Sequence, residues 1–109
     1  MADTINFDQF KQVEIRIGKV IECERVEGAD KLLKLQVDFG DFQRQIASAI
    51  AQHYAPEDLV GKEFPFVVNL EPRTFRGVES QGMLMATGTD EDVVFLEPSK
   101  EVPPGSEVV

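Results

Sequence analysis

With one cysteine, one histidine and no long apolar run, few kinds of chemistry are open to this 109-residue chain. Cys23 has no second cysteine to pair with, and one thiol plus one imidazole cannot complete a zinc site. Cys23 follows Ile21 at strand spacing and reads as a core cysteine rather than a reactive thiol. No stretch approaches the roughly 20 apolar residues of a membrane span. The first ten residues, MADTINFDQF, lack the basic and apolar regions of a secretory signal, so a cytoplasmic location without membrane attachment is expected. Catalytic patterns are missing as well. Ser80 in GVESQG lacks the glycine two positions earlier that a nucleophile elbow uses. His53 has only Tyr54 beside it, no glycine-rich phosphate loop occurs, and Asp90-Glu91-Asp92 lacks the spacing of a calcium loop and reads as a solvated turn. No catalytic residue, metal or cofactor is expected.

Basic residues are also few. Eleven Lys and Arg face twenty Asp and Glu, for a net charge of −9. That balance argues against a broad electrostatic grip on nucleic acid. The acid is uneven, however. Residues 1–30 carry 4 basic and 7 acidic groups, and residues 90–109 carry 1 and 6. The stretch 31–62 carries 4 of each, and 63–89 carries 2 and 3. A local basic face in the middle is compatible with this, and any recognition there would be selective for shape.

The remaining 42% hydrophobic content suits one globular domain spanning 1–109. Asn6 before FDQFK reads as the N-cap of a short helical turn. Val13, Ile15 and Ile17 alternate with polar residues, and the phase breaks at Gly18-Lys19 before Ile21 and Cys23, which predicts a bulged or bent first strand. Leu33, Leu35, Val37 and Phe39 alternate as a second strand, and Gly40-Asp41 turns into a third over Gln43 to Ala47. Ala49 to Tyr54 has helical spacing, and Pro56-Glu57-Asp58 opens a further helical turn. Phe64 to Leu70 and Ser80 to Thr87 complete five strands. This order predicts an all-β, five-stranded Greek-key barrel of the OB-fold type, with a short helix between strands 3 and 4 and a C-terminal extension. The extension, 90–109, is expected either to cap the barrel's open end or to pack against a second copy of the chain, the latter preferred because so small a core is marginal alone.

The segment Asn69 to Ala86, NLEPRTFRGVESQGMLMA, concentrates binding chemistry. Arg73 and Arg76 lie in a loop marked by Pro72 and Gly77, either as solvated charges paired with Glu71 and Glu79 or as forks for phosphate. Asn69 faces away from Phe66 and Val68 by alternation, to read a base or ribose or to tie a loop. Ser80 either makes a local turn bond or meets phosphate. Met83 is soft enough to pack against a base, with Met85 assigned to core or interface. Phe75 is the loop's only aromatic, and this scarcity favours a folded RNA over single strands.

The run VEIRIGKVIECERVEGADKLLKLQVDFG, then HYAPEDLVGK, VVNLEPRTFRGVESQGMLMA and VVFLEPSKEVPPGSEVV, resembles the tRNA-binding domain found at the C-terminus of many methionyl-tRNA synthetases and as their free-standing beta subunit. It is also similar to a secretion chaperone of bacilli. The resemblance covers residue 7 to the C-terminus and rests on ADKL, NLxPRxxRGxxSxGM and the final PGxxV. The short length favours a separate subunit. The family implies a non-catalytic OB-fold homodimer that binds tRNA by shape, with a synthetase catalytic subunit as possible partner. Its tRNA-binding positions correspond here to Lys31, Asn69, Arg73, Arg76, Ser80 and Met83, with Arg44 and Ser48 as further candidates. The other function class implied is a chaperone-like, protein-binding dimer.

Overall fold

The computed structural model describes residues 1–89 and 91–109. A single turn of helix, α1 (Phe7–Lys11), comes first. Nine strands follow: β1 (Ile15–Val26), β2 (Ala29–Asp38), β3 (Gln43–Ser48), β4 (Glu63–Val67), β5 (Arg73–Phe75), β6 (Val78–Ser80), β7 (Met83–Leu84), β8 (Ala86–Thr89) and β9 (Asp92–Phe95). A 3₁₀ turn, Pro56–Asp58, lies between β3 and β4. The cap predicted at Asn6 is present: its Oδ1 accepts from the Gln9 N–H at 2.8 Å, and Gln9 Oε1 accepts from the Asn6 N–H at 2.9 Å. The helix expected over 49–54 is not formed, and turns replace it before the Pro56 segment.

Five strands form one antiparallel sheet in the order β3-β2-β1-β4-β7. The expected closed barrel is not formed. Among the described residues no ladder joins β3 to β7, so the sheet stays open. The cause lies in the segment read as a single fifth strand. Residues 80–87 are divided among three partners: Ser80 belongs to β6 and pairs with β5, Met83–Leu84 pair with β4, and Ala86–Thr87 pair with β9. Gly82 separates the first two, where an added Cβ would stand 2.8 Å from the Val67 carbonyl oxygen. A strand broken this often cannot supply the continuous edge that closure requires.

The first strand also differs from its predicted bend. Pairing with β4 is regular from Ile15 to Lys19, and the irregularity falls between Val20 and Glu22. A bulge there turns exposed Ile21 outward and sets Val20, Cys23 and Arg25 opposite Val37, Leu35 and Leu33. Gly18 serves close approach: an added Cβ would lie 2.6 Å from the Phe39 ring.

Val20, Leu33, Leu35, Val37, Ile46, Phe64 and Phe66 form the core on one sheet face, with Ile50 and Leu59 covering it. The β8–β9 ribbon is held to this core by Phe95, whose ring centroid lies 4.4 Å from that of Tyr54 and 4.6 Å from that of Phe64. The end of the chain returns to the sheet. The Ile17 N–H donates to the Ser106 carbonyl at 2.8 Å, and the Val108 N–H donates to the Ile15 carbonyl at 2.9 Å. Arg16 fixes this contact through the Gly105 carbonyl at 2.8 Å and Glu107 at 3.4 Å. Within one chain, therefore, the last residues lie along β1. No helix of the described residues is long and apolar enough to cross a membrane.

Candidate nucleic-acid interface

The loop expected around Arg73 and Arg76 is a tight hairpin. Phe75 pairs with Val78, which leaves Arg76-Gly77 as a two-residue turn. Both turn residues have positive φ, 50° and 81°. That is the backbone of a type I′ turn, which matches strand twist and ordinarily uses Asn-Gly. An arginine with φ of 50° is strained, and strain of this kind gathers at functional positions. The turn presents the exposed Arg76 at its tip. Arg73 stands at the hairpin's base, exposed, with its guanidinium carbon 5.0 Å from the Phe75 ring centroid.

The hairpin is fastened to the free edge of β3. Ser80 is 4% exposed; its hydroxyl accepts from the Ala47 N–H and donates to the Gly82 carbonyl, both at 3.0 Å. The Gln81 N–H donates to the Gln45 carbonyl at 2.8 Å, and Gln81 Oε1 accepts from the Gln45 N–H at 2.9 Å. Gln45 Nε2 donates to the Glu79 carbonyl at 2.9 Å. Side chains and the Gln81 N–H thus satisfy part of the strand edge that a ladder would otherwise pair.

Between the hairpin and the end of β3 lies a cavity of about 190 Å³. Ala47, Ala49 and Gly82 line it with little side chain, Leu70 and Met83 line it with apolar surface, and Arg73 stands at its wall. Leu70 and Met83 are 46% and 49% exposed. Met83 is free to be so because its neighbour Leu84 packs on the core. Lys31 meets the segment that follows β3: its carbonyl accepts from the Ala51 N–H at 2.9 Å, and its side chain is exposed. Arg25 donates to the Ala51 carbonyl at 3.1 Å from the facing strand.

Arg44 and Asn69 lie apart from the cavity. Arg44 is further along β3, stacked 5.0 Å from the Phe42 ring centroid. Asn69 lines a different groove, of about 340 Å³, between α1 and the C-terminus. There both ends of its amide are used: Oδ1 accepts from the Glu14 N–H at 2.8 Å, and Nδ2 donates to the Gln12 carbonyl at 2.6 Å. Ser48 lines the arginine cavity.

Most cations of the chain, Lys11, Lys19, Arg25, Lys62 and Lys100 included, form no ion pair among the described residues. Among the described residues the ion pairs are Arg16 with Glu14 and Glu107, and Lys34 with Glu24. Lys31, Arg44, Arg73 and Arg76 have no carboxylate within 4.0 Å among the described residues. Sequence reasoning missed Arg25, Leu70, Ala49 and the Gln45–Gln81 link. The bulge at Ile21 carries Arg25 to its place and leaves no local sequence signal; Gln45 and Gln81 were legible only as polar residues at strand positions.

Nothing in the site resembles a reaction centre. Burial, with Glu24 and Glu57 adding, pushes the Cys23 thiol up to about 11. His53 is exposed in a turn. Among the described residues no cluster of His, Cys, Asp or Glu is arranged to hold a metal.

Residues 15–107 match the family described as "Putative tRNA binding domain". A methionine–tRNA ligase of Methanothrix thermoacetophila is 54% identical over 93% of the chain, which spans 15% of that ligase's length. In solved structures, the MetRS related protein from Pyrococcus horikoshii is 41% identical with a TM-score of 0.93, covering 99% of this chain and 100% of that one. The chaperone CsaA from Bacillus anthracis is 32% identical with a TM-score of 0.89, covering 98% and 100%. A match over nearly the whole chain leads to one assignment: this chain belongs to the tRNA-binding domain family, a non-catalytic binding module.

Proposed function

We propose that the chain binds tRNA as a folded shape, through the Arg73–Arg76 hairpin and Lys31, as an accessory beta subunit of a methionyl-tRNA synthetase or as a free cytoplasmic tRNA-binding protein. The observation that carries this is the Arg73–Arg76 hairpin, which exposes both guanidinium groups beside a cavity of about 190 Å³. Forked guanidinium groups suit phosphate, and acid elsewhere repels RNA from the wrong faces. Met83 adds soft apolar contact, and Arg44 a further cation along β3. Ser80 braces the hairpin, and Asn69 ties the N-terminal segment in its separate groove. Bound to a synthetase, the module would raise the effective concentration of tRNA and lower its KM without touching the chemical step.

The same proposal includes a homodimer. Phe7 is 70% exposed, Phe10 48% and Val13 43%, and they share a groove with the C-terminal Val108 and Val109. Contiguous exposed apolar surface of this kind marks an interface. A chaperone-like, protein-binding dimer is the second reading, favoured by the likeness to CsaA.

A salt titration of binding to bulk tRNA, with single-stranded RNA of equal charge as competitor, tests the proposal. Salt-sensitive binding that the single strand displaces poorly is expected. Absence of binding at low salt, with capture of unfolded polypeptide instead, selects the second reading.

A further inference from the structure

We propose that the cavity beside Arg73 receives one unstacked nucleobase of the bound RNA, while Arg73 and Arg76 hold the phosphates next to it. This rests on the tRNA-binding reading above and adds what the site reads.

The cavity has the shape and the surfaces for a ring. Its depth comes from residues with almost no side chain, Ala47, Ala49 and Gly82. Gly82 is held to that size by the Val67 carbonyl, which an added Cβ would meet at 2.8 Å. At about 190 Å³ it is below the ~300 Å³ at which pockets begin to enclose a drug-sized ligand, and it suits one ring system. Leu70 and Met83 remain close to half exposed on its walls although each is a large apolar side chain. An apolar ring face placed there would cover both.

The polar groups argue for a base and against a phosphate inside the cavity. Glu71 lines it and has no cationic partner within 4.0 Å among the described residues. A carboxylate repels phosphate and accepts from an amino or imino N–H on a base edge. The guanidinium of Arg73, already stacked on Phe75, offers its other face as a platform, and Arg planes stack on unpaired RNA bases. The N–H edge of Arg73 and the exposed Arg76, at the tip of the hairpin, are left for the backbone phosphates. The chemistry selects an unpaired base with an N–H donor on its edge, flanked by phosphates.

The test separates a base contact from a phosphate contact. Ala49→Leu fills the cavity from an exposed position and leaves every cation in place. Its tRNA affinity is expected to fall about tenfold, the scale of one lost stacking contact, with an unchanged slope of log K against log salt. In parallel, chemical probing of tRNA saturated with the wild-type protein is expected to show an unpaired base protected, and Glu71→Gln to weaken that protection. Wild-type affinity in Ala49→Leu, or a fall in affinity accompanied by a lower salt slope, overturns the base assignment and leaves the tRNA-binding reading standing. If Ala49→Leu does not fold, the probing experiment on the wild-type protein decides, and no protected base overturns the assignment. Loss of unfolded-polypeptide binding in Ala49→Leu, with tRNA affinity intact, would assign the cavity to an apolar side chain instead. Failure of the wild-type protein to bind tRNA at any salt removes both readings.

Discussion

Arg73 lies over the ring of Phe75, 5.0 Å from guanidinium carbon to ring centroid. The stack orients a charge that would otherwise sample many rotamers, and a planar fork held flat is a different ligand for phosphate from a flexible ammonium. Arg73→Lys separates the two. It keeps the charge and loses the fork, so tRNA affinity is expected to fall several-fold while the salt slope stays at the wild-type value. Arg73→Ala is expected to lose affinity and about 0.7–0.9 of slope together. Equal slopes in wild type and Arg73→Ala, measured by titration from low to moderate salt, would remove Arg73 from the phosphate-binding set.

Arg76 tests whether its strain serves binding. With φ of 50° it occupies a backbone region that costs a non-glycine residue about 1–2 kcal/mol. Arg76→Gly relieves that cost, and Arg76→Asn relieves part of it while keeping a residue favoured in this turn. Both variants are expected to unfold at higher denaturant concentration than the wild type, by up to about 1 kcal/mol, and to bind tRNA more weakly. A variant that gains stability and keeps full affinity would show that the arginine is incidental to the site.

How far these relationships could be read beforehand depended on their range along the chain. The cap at Asn6 and the alternation through Leu33, Leu35 and Val37 are local patterns, and each is found where periodicity or spacing put it. The division of 80–87 was not legible, because Met83, Met85 and their neighbours keep a period-2 pattern across a segment whose partner changes twice. That loss of continuity is why an open sheet stands where a closed barrel was expected. Asn69 and Ser80 carried two readings each from sequence. Their hydrogen bonds to Glu14, Gln12 and Ala47 span large separations, which no local pattern encodes.

Ser80 is the link between the hairpin and the sheet, and its loss has a defined signature. Ser80→Ala leaves the Ala47 N–H and the Gly82 carbonyl without their partner at a site 4% exposed. An unsatisfied buried group costs about 1–3 kcal/mol, so the urea midpoint is expected to fall by that equivalent. The tRNA salt slope is expected to remain unchanged, since no cation is removed. Weaker tRNA binding with wild-type stability would instead make Ser80 a direct RNA contact.

Cys23 supplies a pH prediction whose sign follows from burial. Its thiol is raised from 9.0 to about 11 in the fold. Below pH 9 both folded and unfolded chains hold the proton, and the group leaves stability independent of pH. Between pH 9 and 11 the unfolded chain ionises first, binds fewer protons than the fold, and stability falls as pH rises. Cys23→Ser is expected to flatten that fall. At pH 7 the native thiolate fraction is on the order of 10⁻⁴, so alkylation by iodoacetamide is expected to be slow and to accelerate sharply in denaturant. Rapid native alkylation at pH 7 would contradict the burial.

Gly105 controls the contact between the end of the chain and β1. Its φ is 92°, and a Cβ there would run into the Phe39 carbonyl. Its N–H donates to the Ile17 carbonyl at 2.7 Å, directly beside the Ile17 N–H bond to Ser106. Gly105→Ala is therefore expected to detach the last residues from the sheet edge, and hydrogen exchange should report it as lost protection at the amides of Ile17 and Val108 with the β2–β3 amides still protected. Val108 and Val109 line the same groove as Phe7 and Phe10, so detachment removes part of the proposed dimer surface. Sedimentation of Gly105→Ala is expected to show weaker self-association than the wild type, and Phe10→Asp to show the same while keeping Ile17 protected. Unchanged association in both variants would place the dimer contact elsewhere, because one removes the C-terminal half of the groove and the other charges the helical half.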